Sequence, residues 1–149
     1  MAAPRRKVGP AIYTEVYFNN VTDNDLSTYD KKDWYGTGNQ PLNVPSLQTR
    51  YFKHMADSYV GSSEGGAVFV IKQNIKWVVV WRNMMNEDNK VYTEITTDTN
   101  INWDFYQTKV KASSNHAEAT KLGYKATVDI EPYEVTPNMN AKLEETASP

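Results

Sequence analysis

The chain has no cysteine. That removes disulfides, thiolate metal sites and cysteine nucleophiles from consideration. Histidine is scarce, with His54 and His116 alone, and His54 has no Asp, Glu or His partner at metal-ligand spacing in its local sequence. No metal and no cofactor is expected. Neither charge sign dominates: 16 Lys and Arg face 18 Asp and Glu, a net charge of -2. A nucleic-acid partner is therefore not expected. No apolar run is long enough to cross a bilayer, and the start Met1–Lys7 (MAAPRRK) has no apolar stretch behind it of the secretory kind. The expectation is a cytoplasmic chain that is not transmembrane. A nucleophile elbow, a phosphate-binding glycine loop, a zincin helix and an EF-hand loop are all missing. No catalytic residue is assigned.

What the chain does have is aromatic: 10 Tyr, 4 Trp and 4 Phe in 149 residues. One domain with one core is the size-based expectation. The strongest local signal is Lys76–Ile95 (KWVVVWRNMMNEDNKVYTEI). Trp77–Trp81 is an unbroken apolar run, the mark of a strand covered on both faces. The Asn- and Asp-rich stretch after it is a turn, and Val91, Thr93 and Ile95 alternate with Tyr92 and Glu94 as a half-exposed strand. Gly66–Lys72 precedes this pair, so Gly66–Ile95 reads as a three-stranded meander.

The same alternation predicts strands over Ala11–Asn19, from Leu26, over Leu47–Ala56 and over Gly123–Glu131. Tyr35–Ser46 reads as an ordered loop, and His116–Leu122 has no clear pattern. Ile101, Trp103, Phe105, Tyr106 and Val110 fall at helical spacings, with Asn100 or Asn102 as N-cap. The fold class expected is mainly β: a single β-sandwich of antiparallel strands with one short α-helix packed on it before the last strand. Residues 1–10 form a flexible basic arm in this reading, 11–131 the sandwich domain and 132–149 a flexible polar tail.

The candidate ligand-binding residues are Trp34, Tyr35, Asn39, Tyr51, Tyr59, Tyr92 and Glu94. Rings beside amides and carboxylates offer apolar contact with hydrogen bonds at the rim, which suits a glycan or a lipid headgroup. The plain alternative is that such rings fill the core, and Trp77, Trp81 and Trp103 are read that way. A small hydrolase would require Glu94 to converge with Glu15 or Glu64.

Two stretches, Lys32–Gly36 (KDWYG) and Asn89–Ile95 (NKVYTEI), followed by Asn102-Trp103-Asp104, resemble the plant jasmonate-induced protein family. The likeness runs over most of Ile12–Ile130. It implies a non-enzymatic stress or defence protein acting by binding, for which a homo-oligomer is also compatible. A more distant similarity is to the actinoporin-like cytolysin and fungal lectin superfamily. It rests on Gly66–Val70 (GAVFV), Val79-Val80-Trp81, the Trp103–Val110 helix and Leu122–Ile130. It implies a lectin-like or membrane-active sandwich. Actinoporins carry a Tyr-rich, headgroup-binding stretch after the central Trp and an amphipathic N-terminal helix. Here Arg82–Asn89 has no aromatic residue and Met1–Pro10 contains prolines, which weighs against pore formation.

Overall fold

The computed structural model describes residues 6–146. The strands are β1 (Tyr13–Val21), β2 (Leu26–Tyr35), β3 (Asn43–Val44), β4 (Thr49–Met55), β5 (Ser63–Lys72), β6 (Ile75–Asn83) and β7 (Lys90–Thr96). Helix α1 (Trp103–Lys111) follows, then β8 (His116–Lys121), β9 (Tyr124–Ile130) and β10 (Asn138–Glu145). They form two five-stranded sheets, ordered β4-β1-β10-β9-β8 and β3-β2-β5-β6-β7. This is the expected mainly-β sandwich with a single short helix before the last strand.

Period-2 alternation explains why the sheets face each other. Val16 and Phe18 of β1, Val128 and Ile130 of β9, and Met139, Ala141 and Leu143 of β10 point inward. They meet Phe69, Trp77, Val79, Trp81, Val91 and Ile95 of the other sheet. Phe18 is central, edge-on to Phe69 at 4.9 Å and to Trp77 at 6.2 Å between ring centroids. Trp77 is fully buried with its indole N–H satisfied: Nε1 donates to Thr93 Oγ1 at 2.9 Å.

The unbroken run of β6 is explained by a second apolar layer. Val78 and Val80 point away from the sandwich core and are covered by α1 through Tyr106 and Val110, with Trp34, Tyr92, Ile101 and Trp103 around them. Asn102 caps α1, its Oδ1 accepting from Phe105 N at 3.1 Å. The Trp103 ring lies on Gly66 of β5, where an added Cβ would sit 2.5 Å from the ring. A glycine in the middle of that strand is what lets the helix seat.

Several expectations about the chain's organisation are corrected. The stretch read as a tail from Pro132 contains β10, which is the middle strand of its sheet and pairs with β1 in parallel. The patternless stretch at His116 is edge strand β8, whose only apolar support is the half-buried Ala117 and Ala119. Of the expected flexible arm, residues 1–5 lie outside the described residues. From Lys7 onward the chain is fastened. The Lys7 ammonium is buried against Asn83 Oδ1, Met84 O at 2.7 Å and Asn89 Oδ1 at 2.8 Å. Burial pushes its pKa down to about 8, against the pull of Glu87 and Asp88. Gly9 and Asn86 then exchange two hydrogen bonds, clamping the arm to the β6–β7 turn.

Candidate functional site

The structure sends the expected ligand residues to different places. Trp34, Tyr92 and Glu94 lie on the helix-covered face of the β7-side sheet. Trp34 is half-buried and meets Trp103 edge-to-face at 5.7 Å, so its ring supports α1. Tyr35 is half-buried at the end of β2, and Asn39 is exposed in the loop beyond it. That loop turns at Gly36, φ 91°, where any Cβ would strike the carbonyl of Met55. Tyr51 sits on the uncovered face of the other sheet, 4.9 Å from the Tyr17 ring, with its hydroxyl donating to Glu15 at 3.1 Å. Tyr59 stands alone in a third place, 98 % exposed in the 57–62 loop.

Tyr59 identifies a surface that the sequence reading did not assemble. The loop that carries it, with exposed Val60 beside it in sequence, meets Ile12 and Met55 at Gly61, and both of those side chains are exposed, as is Met85. These pieces of chain are the start of β1, the end of β4 with the loop after it, and the β6–β7 turn. Gly61 joins them, since a Cβ there would touch Pro10 and lie 3.8 Å from the Met85 sulfur. Between Ile12, Met55 and Gly61 is an apolar recess of about 310 Å³. Clustered exposed apolar side chains of this kind mark an interaction surface. The sequence signal was present as Met84-Met85 and Tyr59-Val60, apolar pairs inside otherwise polar turns.

At the end of β7 away from the β6–β7 turn, a recess of about 330 Å³ is lined by Glu94, Thr96, Asp98, Asn102, Phe105, Tyr106 and Lys121. Glu94 is held from both sides. Tyr92 donates to Oε1 at 3.1 Å and Tyr106 to Oε2 at 2.6 Å. Burial and the Glu94 carboxylate raise both phenols, Tyr92 to about 12 and Tyr106 further in the same direction. Both remain protonated donors at any physiological pH.

One constellation imitates a hydrolase. His54 lies between Ser63 Oγ, 2.7 Å from Nδ1, and Asp33 Oδ1, 2.8 Å from Nε2. In a working serine triad the nucleophile sits on Nε2 and the acid on Nδ1. Here the order is reversed, and both Ser63 and His54 are buried. The group is instead the end of a buried polar chain: Asn83 Nδ2 donates to Thr14 Oγ1 at 3.2 Å, and Thr14 and Ser63 share a hydrogen bond at 2.8 Å. With Asp33 as acceptor, His54 carries its proton on Nε2 and accepts from Ser63.

Burial pushes the His54 imidazole below its ordinary value of 6.5, outweighing the Asp33 hydrogen bond that raises it. The unfolded chain therefore binds the extra proton first. This contribution to stability is intact above pH 6.5 and is lost as pH falls toward the lowered folded value. His54→Gln should cost about 1–3 kcal/mol near neutral pH and flatten the stability profile below 6.5. Thermal unfolding of both proteins across that range decides it; parallel profiles would refute the assignment.

The carboxylates considered for hydrolysis do not converge. Glu15 is on the other sheet, and Glu64 pairs across to Arg82 while Glu94 pairs across to Val78, four residues along β6. Among the described residues no group of three or more His, Asp or Glu is placed to hold a metal ion, and no helix is long and apolar enough to cross a membrane.

No protein-family profile matches the chain, and no curated protein matches it in sequence. Solved structures do. The crystal structure of the lipid-binding protein Nakanori superposes with a TM-score of 0.82 at 16% identity, over 92% of this chain and 73% of that one. The RahU protein in complex with a TRIS molecule gives 0.59 at 6% identity, over 93% of this chain and 98% of that one. IP-1A from Alcaligenes faecalis gives 0.54 at 12% identity, over 93% and 94%. At these identities the likeness is one of fold.

Proposed function

We propose that this chain is a non-enzymatic binding protein of the plant jasmonate-induced, stress-response type, and that it docks on a lipid-bearing surface through its apolar end. The observation that carries the reading is the apolar recess between Ile12, Met55 and Gly61, with Met85 close to Gly61 and the exposed Tyr59 and Val60 in the same loop. A folded protein keeps such side chains out of water when it can. Nakanori, with the same fold, is described as lipid-binding, which supports a lipid rather than a protein partner. The absence of an aromatic residue in the β6–β7 turn is compensated by Met85 of that turn and Tyr59 of the neighbouring loop. A reversible surface contact follows, not insertion.

Among the described residues this end carries both signs of charge, with Arg6 and Asp88 exposed. Lys7 is locked in its pocket, and Glu87 and Asp88 stand beside it. Binding should therefore favour zwitterionic phosphatidylcholine vesicles over anionic ones and change little with salt. Co-sedimentation with such vesicles tests it. Tyr59→Ser and Met85→Ser remove apolar groups worth roughly 1.5–3 kcal/mol each when buried, so each should weaken binding about tenfold or more. Both positions are solvent-facing, so unfolding temperature should hold within the scatter of surface variants. Wild-type protein that ignores the vesicles, or variants that bind them equally well, would sink the reading.

A further inference from the structure

The chain has no cysteine, so methionine thioethers are its only sulfur. Of its five methionines, Met1 lies outside the described residues. Met139 is fully buried in the core, and Met84 is half-buried. Met55 and Met85 differ from both: they are 44 % and 47 % exposed. Distant in sequence, they arrive at one place. Met55 lines the apolar recess together with Gly61, and the Met85 sulfur lies 3.8 Å from where a Gly61 Cβ would stand.

Both are presented on fixed backbone. Met55 N donates to Thr37 O at 2.7 Å and Met55 O accepts from Thr37 N at 3.0 Å. Met85 sits between two anchors of the arm. Lys7 Nζ donates to Met84 O at 2.7 Å, and Gly9 N donates to Asn86 Oδ1 at 2.8 Å. Neither side chain belongs to the buried core between the sheets. Its polarity can change while the sandwich stays folded.

We propose that Met55 and Met85 form a reversible oxidation site, through which a peroxide turns the rim of the recess from apolar to polar. The thioether sulfur gives a lone pair to one oxygen of hydrogen peroxide. An S–O bond forms and the O–O bond breaks. The departing hydroxide takes the proton of the sulfur-bound oxygen, giving sulfoxide and water, so sulfur is oxidised and the peroxide reduced. Methionine sulfoxide is polar and disrupts methionine-rich contact surfaces, and sulfoxide reductases return it to the thioether. Burial makes the site selective, because peroxide reaches Met55 and Met85 and not Met139. Sulfoxides on this rim remove apolar contact from a lipid surface. That consequence rests on the docking reading above; the oxidation itself does not.

The full chain treated with dilute hydrogen peroxide, digested and mapped by mass spectrometry, tests this. Oxygen should appear on Met55 and Met85 at least about tenfold faster than on Met139, and a pair of methionine sulfoxide reductases should remove it. The treated protein should leave a phenyl column earlier than the untreated one. Unfolding would delay elution, so an earlier peak reads the surface. Phosphatidylcholine vesicles should bind the treated protein at least about tenfold more weakly. The double variant Met55→Leu/Met85→Leu, compared with its own untreated sample, should show neither change on treatment, which assigns the effect to these sulfurs and not to Met1. The proposal is overturned if Met139 oxidises as fast as Met55 and Met85, if the treated protein keeps its retention, or if the leucine variant shifts as the wild type does. If untreated protein ignores the vesicles, the docking reading fails, and the peptide map and the column still decide the oxidation site.

Discussion

A chain ended at Glu131 should not fold. Residues beyond it include β10, which stands between β1 and β9 and bonds to both. Removing it leaves β4-β1 and β9-β8 as separate ribbons, each with a new open edge. It also deletes Met139, Ala141 and Leu143, all buried in the core. Met and Leu contribute about 1.5–3 kcal/mol each. The larger loss is that Val16, Phe18, Val128 and Ile130 no longer share a continuous sheet. Since net stabilities are only about 5–15 kcal/mol, the truncated protein should show no cooperative unfolding transition by circular dichroism and should aggregate. A cooperative transition within a few degrees of the full chain's would mean that β10 is dispensable.

The same strand shows what could be read from the sequence. The inward alternation of Met139, Ala141 and Leu143 is as regular as that of Val128 and Ile130 in β9. It was masked by Pro132 and Pro137, which read as the end of the fold, and by Asn and Glu on the outward face. The prolines in fact build the link between β9 and β10, where Asn89 donates to the carbonyls of Glu131 and Glu134. Parallel pairing with β1 is a tertiary fact with no local signature. The β5-β6-β7 meander and α1 were legible because their patterns are local: an apolar run, an Asn-rich turn, and helical spacing behind an Asn cap.

The candidate sites were less legible, for a physical reason. Large aromatic residues are the natural candidates, yet their size also makes them good supports. Trp34 went to Trp103 and Tyr92 to Glu94. The surfaces that remain open are assembled from small pieces distant in sequence, such as Ile12, Tyr59 and Met85, or Thr96, Phe105 and Lys121. Of the residues singled out beforehand, Tyr59 lies on one such surface and Glu94 lines the other. Tyr51 is exposed on the β1–β4 side, beside Tyr17 and Glu15.

Replacing Arg82 with Met should be the most damaging single change under the helix, costing about 3–5 kcal/mol. Glu64 is fully buried, and Arg82 Nη1 donates to its Oε2 at 2.5 Å while Gln107 of α1 donates to Oε1 at 2.8 Å. Arg82 Nη2 continues outward to Glu87 at 3.2 Å. Without the guanidinium, a buried carboxylate keeps one amide partner and no counter-charge. A buried ion pair is nonetheless poor value as a stabiliser, because desolvating both charges offsets most of their attraction. The double variant Glu64→Leu/Arg82→Met should therefore recover most of the loss and could exceed the wild type. Urea midpoints at unchanged m-value measure the cycle. A single variant costing under about 1 kcal/mol, or a double variant as unstable as the single, would refute the account. If the double variant is stable, the pair is there to position rather than to stabilise. Gln107 sits two residues after Phe105 on α1, and its bond to Glu64 ties the helix to β5.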